Sequence, residues 1–195
     1  MLASITPLGE RGRHRRYAIT MAAFGLGAVA AGAGLGAGLG AIGSLLLGGV
    51  ATGVRMAVLA IALVAAITVD LRAGSAPGPR RQVDERWLDE FRGWVYGLGY
   101  GAQLGLGVST VVSSAATYVA LLAAPLCADP GAGALILGLY GAIRGLTPLL
   151  VARVRSPDQL LRFHARFLAV QRPAATAGRL ALGAVTVVAV IGVLG

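Results

Sequence analysis

The sequence predicts an all-α protein, a polytopic transmembrane helix bundle of about five spans, with six as the alternative count. Three observations carry this. Residues 18–50, 56–69, 95–126 and 130–143 hold no charged side chain, and crossing the hydrocarbon core takes roughly 20 apolar residues. Only 13% of residues are charged and the mean hydropathy is +0.77, whereas soluble domains carry about 25% charged residues. The formal charge of +9 lies between the apolar segments, the placement that orients membrane proteins. The 195 residues read as one integral membrane domain.

The basic N-terminal segment, residues 1–16, holds Arg11, Arg13, Arg15 and Arg16. Ala28-Val29-Ala30 looks like a signal-peptidase site, and Arg15-Arg16 hints at a twin-arginine signal. The apolar stretch nevertheless continues without a polar break to Val50. The reading is therefore an uncleaved first span, from near Tyr17 into the 40s. The second span covers about 52–70 and ends at Asp70. A polar loop, 71–93, includes Ala76-Pro77-Gly78-Pro79. The third span runs from about Val95 to Leu126, and Cys127-Ala128-Asp129-Pro130-Gly131 then makes a tight turn. The fourth span covers about 132–152, a second basic loop 153–173, and the fifth span about 174–194.

Arginine placement sets the topology. The N-terminal segment has four, the 71–93 loop five and the 153–173 loop five, while the 127–131 turn has none and the connection near 48–55 has only Arg55. Keeping the three rich segments on the cytoplasmic side needs an even number of crossings between them. Five spans meet this, with the N-terminus inside and the C-terminus outside. A sixth span, made by splitting 18–50, puts the 71–93 arginines outside.

Both basic loops read as interfacial amphipathic helices. Val83, Trp87, Leu88, Phe91, Trp94 and Val95 recur at helical spacing, with Arg81–Glu85 and Arg86–Glu90 as i,i+4 pairs. Trp87 and Trp94 would anchor at headgroup depth. In the second loop Ser156-Pro157 supplies an N-cap and first-turn proline. Leu160, Leu161, His164, Phe167 and Leu168 then share a face, with Phe167 as the anchor. The plan becomes hairpin, surface helix, hairpin, surface helix, final span. Phe24-Gly25-Leu26-Gly27 and Tyr96-Gly97-Leu98-Gly99 open corresponding spans, as in repeat-built transporters.

Small residues mark helix-packing positions. Gly32, Gly36 and Gly40 are spaced by four in the first span, and Gly97, Gly101, Gly105, Ser109, Ser113 and Thr117 in the third. Lipid supplies no hydrophobic force between helices, so small residues that let backbones approach hold them by dispersion. This serves packing within the bundle, a homo-oligomer seam, or a polar path. Gln103, Ser109, Thr110, Ser113, Ser114 and Thr117 concentrate polarity in the same span. Hydroxyls bond back to the preceding turn, whereas the Gln103 amide needs partners inside the bundle.

Arg144 lies within the fourth span, where an arginine costs about 2.5–3.5 kcal/mol on insertion scales. It either marks a counter-ion, pathway or anion site, or snorkels toward the cytoplasmic face. Pro148 has no amide proton, so the carbonyl of residue 144 is expected to lose its helical partner, and a broken helix beside a charge is a binding-site pattern. Arg144, Gln103, Ser109, Ser113 and Thr117 form the candidate polar path. Arg55 reads as interfacial, and Asp70, at a span end, as a weak partner.

Gly138-Leu139-Tyr140-Gly141-Ala142-Ile143-Arg144-Gly145-Leu146-Thr147-Pro148-Leu149-Leu150 resembles a stretch of the cytochrome c biogenesis and disulfide-reductant-conducting transmembrane family. There a Gly-Arg element stands shortly before Pro-Leu-Leu in a span. The resemblance implies a helical membrane fold. That family carries electrons through two intramembrane cysteines beside prolines. Here the first and third spans hold no cysteine, so the resemblance implies a relative without the dithiol activity.

Other classes are set aside on chemistry. The single Cys127 forms no internal disulfide, and His14 and His164 have no metal-ligand spacing. No nucleophile constellation or phosphate loop is present, so neither an enzyme nor a cofactor is expected, and arginines between apolar spans argue against nucleic acid. All 17 basic residues are arginine, which with abundant Ala and Gly points to a GC-rich bacterial genome and an inner-membrane location. The expected function is a scaffold or subunit of a membrane complex without catalysis of its own. The alternative is a small transporter-like protein with a polar path between spans 3 and 4 centred on Arg144. The expected partners are the lipid bilayer, a membrane protein or second copy, and a small polar or anionic solute.

Overall fold

The computed structural model describes residues 7–12, 14–72, 86–107, 114–154 and 156–194. Among these the chain is all helical. In order, the elements are α1 (Pro7–Gly12), α2 (Tyr17–Leu47), α3 (Thr52–Arg72), α4 (Trp87–Glu90), α5 (Gly93–Gly105), α6 (Ala116–Leu126), α7 (Pro130–Leu146) with a 3-10 turn (Thr147–Val151), and α8 (Pro157–Leu194). Helices α2 and α3, the Pro130–Val151 unit and the Pro173–Val193 part of α8 are long and apolar enough to cross a membrane, and α6 is a shorter apolar helix. This is a multi-pass membrane protein.

α2 is the central helix. Thr20, Phe24 and Ala28 meet Gly97, Gly101 and Gly105 in turn, so α5 runs parallel to it. Ala28, Gly32, Gly36 and Gly40 meet Gly141, Leu137, Gly133 and Asp129, so α7 runs antiparallel. At Gly32, Gly36, Gly40, Gly101 and Gly105 an added Cβ would fall well inside contact distance of a carbonyl oxygen on the facing helix. Only hydrogen fits, and the backbones approach accordingly. At the N-terminal end of this group, Met21, Phe24, Leu88, Tyr96, Tyr100 and Leu104 form one core.

α3 builds a second group. It lies antiparallel to α6, with Arg55 beside Leu126 and Asp70 beside Ala115. It also lies antiparallel to α8, with Gly53 beside Val193 and Ala60–Ala65 facing Thr186 and Val190. Its core is Ala60, Leu63, Ala66, Ala115, Val119 and Ala189. α6 also touches α2, where Gly43 abuts Pro125.

Four expectations need correction. The third span is not one helix: α5 and α6, of 13 and 11 residues, measure only about 20 and 16 Å at 1.5 Å per residue. Together they follow α2 from Thr20 to Gly43 and make one crossing in two pieces. Gly107 turns the chain out of α5 with φ +78°, a left-handed conformation that glycine adopts at no steric cost. The first surface helix, among the described residues, is the single turn Trp87–Glu90, ended by extended backbone at Phe91 and Arg92; its upstream part, 81–85, lies outside them. The second surface helix runs on into the fifth span as one helix, because Pro173 removes a single hydrogen bond from an otherwise continuous 38-residue helix, polar and basic up to residue 172 and apolar from Pro173 on. Finally, the carbonyl of Arg144 keeps a partner: the Thr147 amide donates to it as α7 tightens into its 3-10 turn.

Candidate functional site: the break in the third span

The break lies near mid-depth of the bundle. Ala28 and Gly32, which face Gly105, are close to the middle of α2. In hydrocarbon, unsatisfied amide and carbonyl groups cost several kcal/mol each, so irregular backbone persists there only with partners. Each exposed helix end here meets a charged side chain.

Arg144, projecting from α7, attends the C-terminal end of α5. Its Nη1 donates to the Gly107 carbonyl at 3.4 Å and to Tyr140 Oη at 2.6 Å, and the guanidinium carbon sits 5.5 Å from the Tyr140 ring centroid. Tyr140 and Arg144 share a helix face because they are one turn apart. Tyr140 Oη lies 3.0 Å from Thr117 Oγ1 on α6, so α7 bridges both sides of the break. A Cβ on Gly107 would sit 3.2–3.3 Å from the Tyr140 and Thr117 side chains.

Asp70, at the end of α3, attends the N-terminal end of α6. It accepts from Ser114 Oγ at 2.6 Å and from the Ala115 amide at 2.9 Å, and Ser114 Oγ accepts from the Ala116 amide at 3.1 Å. Arg55, at the other end of α3, donates through Nη1 to the Leu126 and Cys127 carbonyls, both at 3.2 Å, and through Nη2 to Thr52 Oγ1 at 3.1 Å. The helix dipole puts partial positive charge at an N-terminus and negative at a C-terminus, and a complementary charge there contributes up to about 2 kcal/mol when partly buried. All three charges have the favourable sign. α3 thus holds α6 at both ends.

Of the candidate polar path, the structure brings together Arg144 and Thr117, the latter 5% exposed, and adds Tyr140, Ser114 and Asp70. Gln103 is half-buried on α5, one turn before Gly107. Ser109 and Ser113 lie outside the described residues. Gly32, Gly36 and Gly40 face α7, and Gly97, Gly101 and Gly105 face α2. Trp87 stacks on Tyr100 with centroids 5.8 Å apart and packs over Gly99. Trp94 is half exposed, and Phe167 stacks on Phe163 at 6.0 Å.

Two polar residues escaped the sequence reading. Glu10 is fully buried: its carboxylate accepts from Thr20 Oγ1 at 2.8 Å and from Tyr96 Oη. Arg15 beside it donates to the Phe91 carbonyl and lies 5.3 Å from the Tyr96 ring centroid. The available signal was a single acid, Glu10, among the N-terminal arginines. Arg179 falls inside the fifth span and donates from Nε to the Ala175 carbonyl at 3.2 Å.

At the tight turn, burial pushes the Cys127 thiol above its usual range, against the nearby Arg55 charge, which pulls it down, while Asp129 adds to the rise. Among the described residues, no three His, Cys, Asp or Glu come together as a metal site. The open crevice between α3 and α8, about 380 Å³, is lined by Ala60, Ile61, Val64, Ala65, Thr186 and Val190; the Thr186 hydroxyl bonds its own helix. Comparison with family models, with curated proteins and with solved structures gives no match to this chain.

Proposed function

We propose that this multi-pass protein is a small transporter-like protein of a bacterial inner membrane, with a polar site for a small polar or anionic solute at the break between α5 and α6. The observation that carries this is the discontinuous span itself: a guanidinium, a phenol and a hydroxyl converge at mid-depth on irregular backbone. Irregular backbone at that depth is tolerated where it is buried in protein or lines a cavity, and broken helices of this kind hold solute in many transporters. Arg144 supplies the positive charge, and Tyr140 and Thr117 supply hydroxyls. The N-terminus is assigned to the cytoplasm on the arginine distribution. No catalytic step is ascribed to the chain.

The test uses thiol reagents of matched size and opposite charge. In a Cys127→Ser background, Thr117→Cys is exposed to an anionic and a cationic methanethiosulfonate. The reading expects faster reaction with the anionic reagent and loss of that preference in Arg144→Gln. A position 117 unreactive to both would mean a dry, packed break, and the solute reading would fall.

The second reading is a scaffold or subunit of a membrane complex. It draws on α8, 38 residues held mainly by α3 and largely exposed, which offers a surface to a membrane-protein partner. Redox conduction is not proposed, since a dithiol needs two cysteines and the chain has one. Kinship to the disulfide-reductant-conducting family rests on the likeness at residues 138–150, with the size and the small-residue-rich spans.

A further inference from the structure

α8 has 38 residues, about 57 Å as a helix, nearly twice the roughly 30 Å of a hydrocarbon core. The part able to cross is Pro173–Val193. The contacts that hold it to α3 fall there, through Leu182, Thr186, Ala189, Val190, Gly192 and Val193. Residues 157–172 continue as helix past that part for about 24 Å more.

This extension has two faces. At 100° per residue, Leu160, Leu161, Phe163, Phe167 and Leu168 fall on one half of the cylinder, with His164 and Gln171 among them, and Asp158, Gln159, Arg162 and Arg166 on the other. Leu161 and Leu168 are 71% and 62% exposed, so an apolar strip lies uncovered outside the spanning region. Such strips mark membrane or protein contacts. Charge selects between them: segment 153–172 carries five arginines against one aspartate, and each basic residue near an anionic surface contributes about a fivefold gain in binding. The extension is also tethered to a span, so a bilayer surface is always within reach. Pro173 lies inside this continuous helix and is where it can bend, because a proline there leaves the carbonyl of Ala169 without its helical donor.

We propose that residues 157–172 are a docking surface for anionic lipid headgroups. The leucine–phenylalanine face enters the acyl boundary, Arg162 and Arg166 lie among the phosphates, and α8 bends at Pro173 to bring them there.

The experiment places a nitroxide on Leu168→Cys in the full-length Cys127→Ser protein, reconstituted in nanodiscs of phosphatidylcholine alone or with one quarter phosphatidylglycerol. Collision rates with oxygen and with a water-soluble nickel chelate report depth. The expected result is a shift from chelate-dominated to oxygen-dominated collisions when phosphatidylglycerol is present, reversed by Arg162→Glu with Arg166→Glu. Should that double variant fail to insert, 0.5 M salt, which screens the same charges, must reverse the shift instead. A label reached mainly by the chelate in both lipids overturns the proposal. So does a label shielded from both probes in both lipids, which would place protein over the strip.

Discussion

Asp70 and Ala115 join the end of one helix to the start of another: the Asp70 carboxylate accepts the Ala115 amide at 2.9 Å across 45 positions of chain. With Ser114 bonded to the same carboxylate, a side chain of α3 serves as the N-cap of α6. Asp70→Ala is expected to destabilise the protein by about 1–3 kcal/mol, the cost of a lost charged hydrogen bond that strands a buried donor. Asp70→Asn, which keeps an acceptor, should lose less. Reversible unfolding of the detergent-solubilised protein in sodium dodecyl sulfate reads the difference; an Asp70→Ala curve that overlays the parent would remove Asp70 from this role.

Two glycines on α2 should respond oppositely to the same change. A Cβ at Gly36 collides with the Gly133 carbonyl, whereas Gly34 has nothing within 4 Å. Gly36→Ala therefore forces α2 from α7 and is expected to cost about 1–3 kcal/mol, the usual range for overpacking. Gly34→Ala should be neutral or slightly stabilising, since alanine is the better helix former. Equal effects in the same unfolding assay would contradict the central packing of α2.

Gly107 should tolerate no side chain. Its φ of +78° strains an L-residue and its Cβ direction points at Tyr140 and Thr117. Gly107→Ala is expected to cost roughly 1–3 kcal/mol from backbone strain. Pairing it with Tyr140→Phe in a double-mutant cycle should give a non-additive result, as neighbours in one site do; strict additivity would uncouple the break from α7.

The thiol of Cys127 should alkylate slowly at neutral pH. The thiolate is the reactive form, and burial raises the pKa of this group, so less thiolate is present at any pH below the raised value. The rate with N-ethylmaleimide should climb at more alkaline pH than for a small free thiol. Arg55→Gln, which removes the charge that opposes the rise, should move the profile further up. A profile at or below that of the free thiol would contradict the buried turn.

Topology gives a final expectation. Asp129 lies against Gly40 of α2, and Gly192 against Met56 of α3. Single cysteines at 49, 129 and 192 should thus label from one side of the membrane, and cysteines at 12 and 153 from the other. Mixed labelling within either group would break the five-crossing arrangement.

The spans themselves were legible, because freedom from charge over 18–50 or 130–143 is visible in composition alone. The break in the third span was not. Residues 95–126 carry no charge, and hydropathy is blind to a glycine turning left-handed at position 107. The groups that stabilise the break sit on other helices, Asp70 on α3 and Arg144 on α7, and no local pattern pairs them with it. Arg144 stood out by its cost in lipid; Tyr140, one turn away, did not, since a tyrosine in a span is unexceptional. The start of α8 was legible in Ser156-Pro157, but its length was not, because the basic stretch up to Arg172 divides the run into a loop and a span while the helix continues through it.

The split crossing also bears on how the chain is inserted during synthesis. α6, with 11 residues, is about 16 Å long and too short to partition into a bilayer as a spanning unit. Its dock, α3, leaves the ribosome some 45 residues earlier, and the dock for α5, helix α2, earlier still. Gene order thus delivers both cradles before the two fragments that need them. A circular permutant starting at residue 86 would reverse that schedule, releasing the fragments into lipid with nothing to receive them, and should accumulate as a mistargeted, protease-sensitive product even though its final contacts are unchanged.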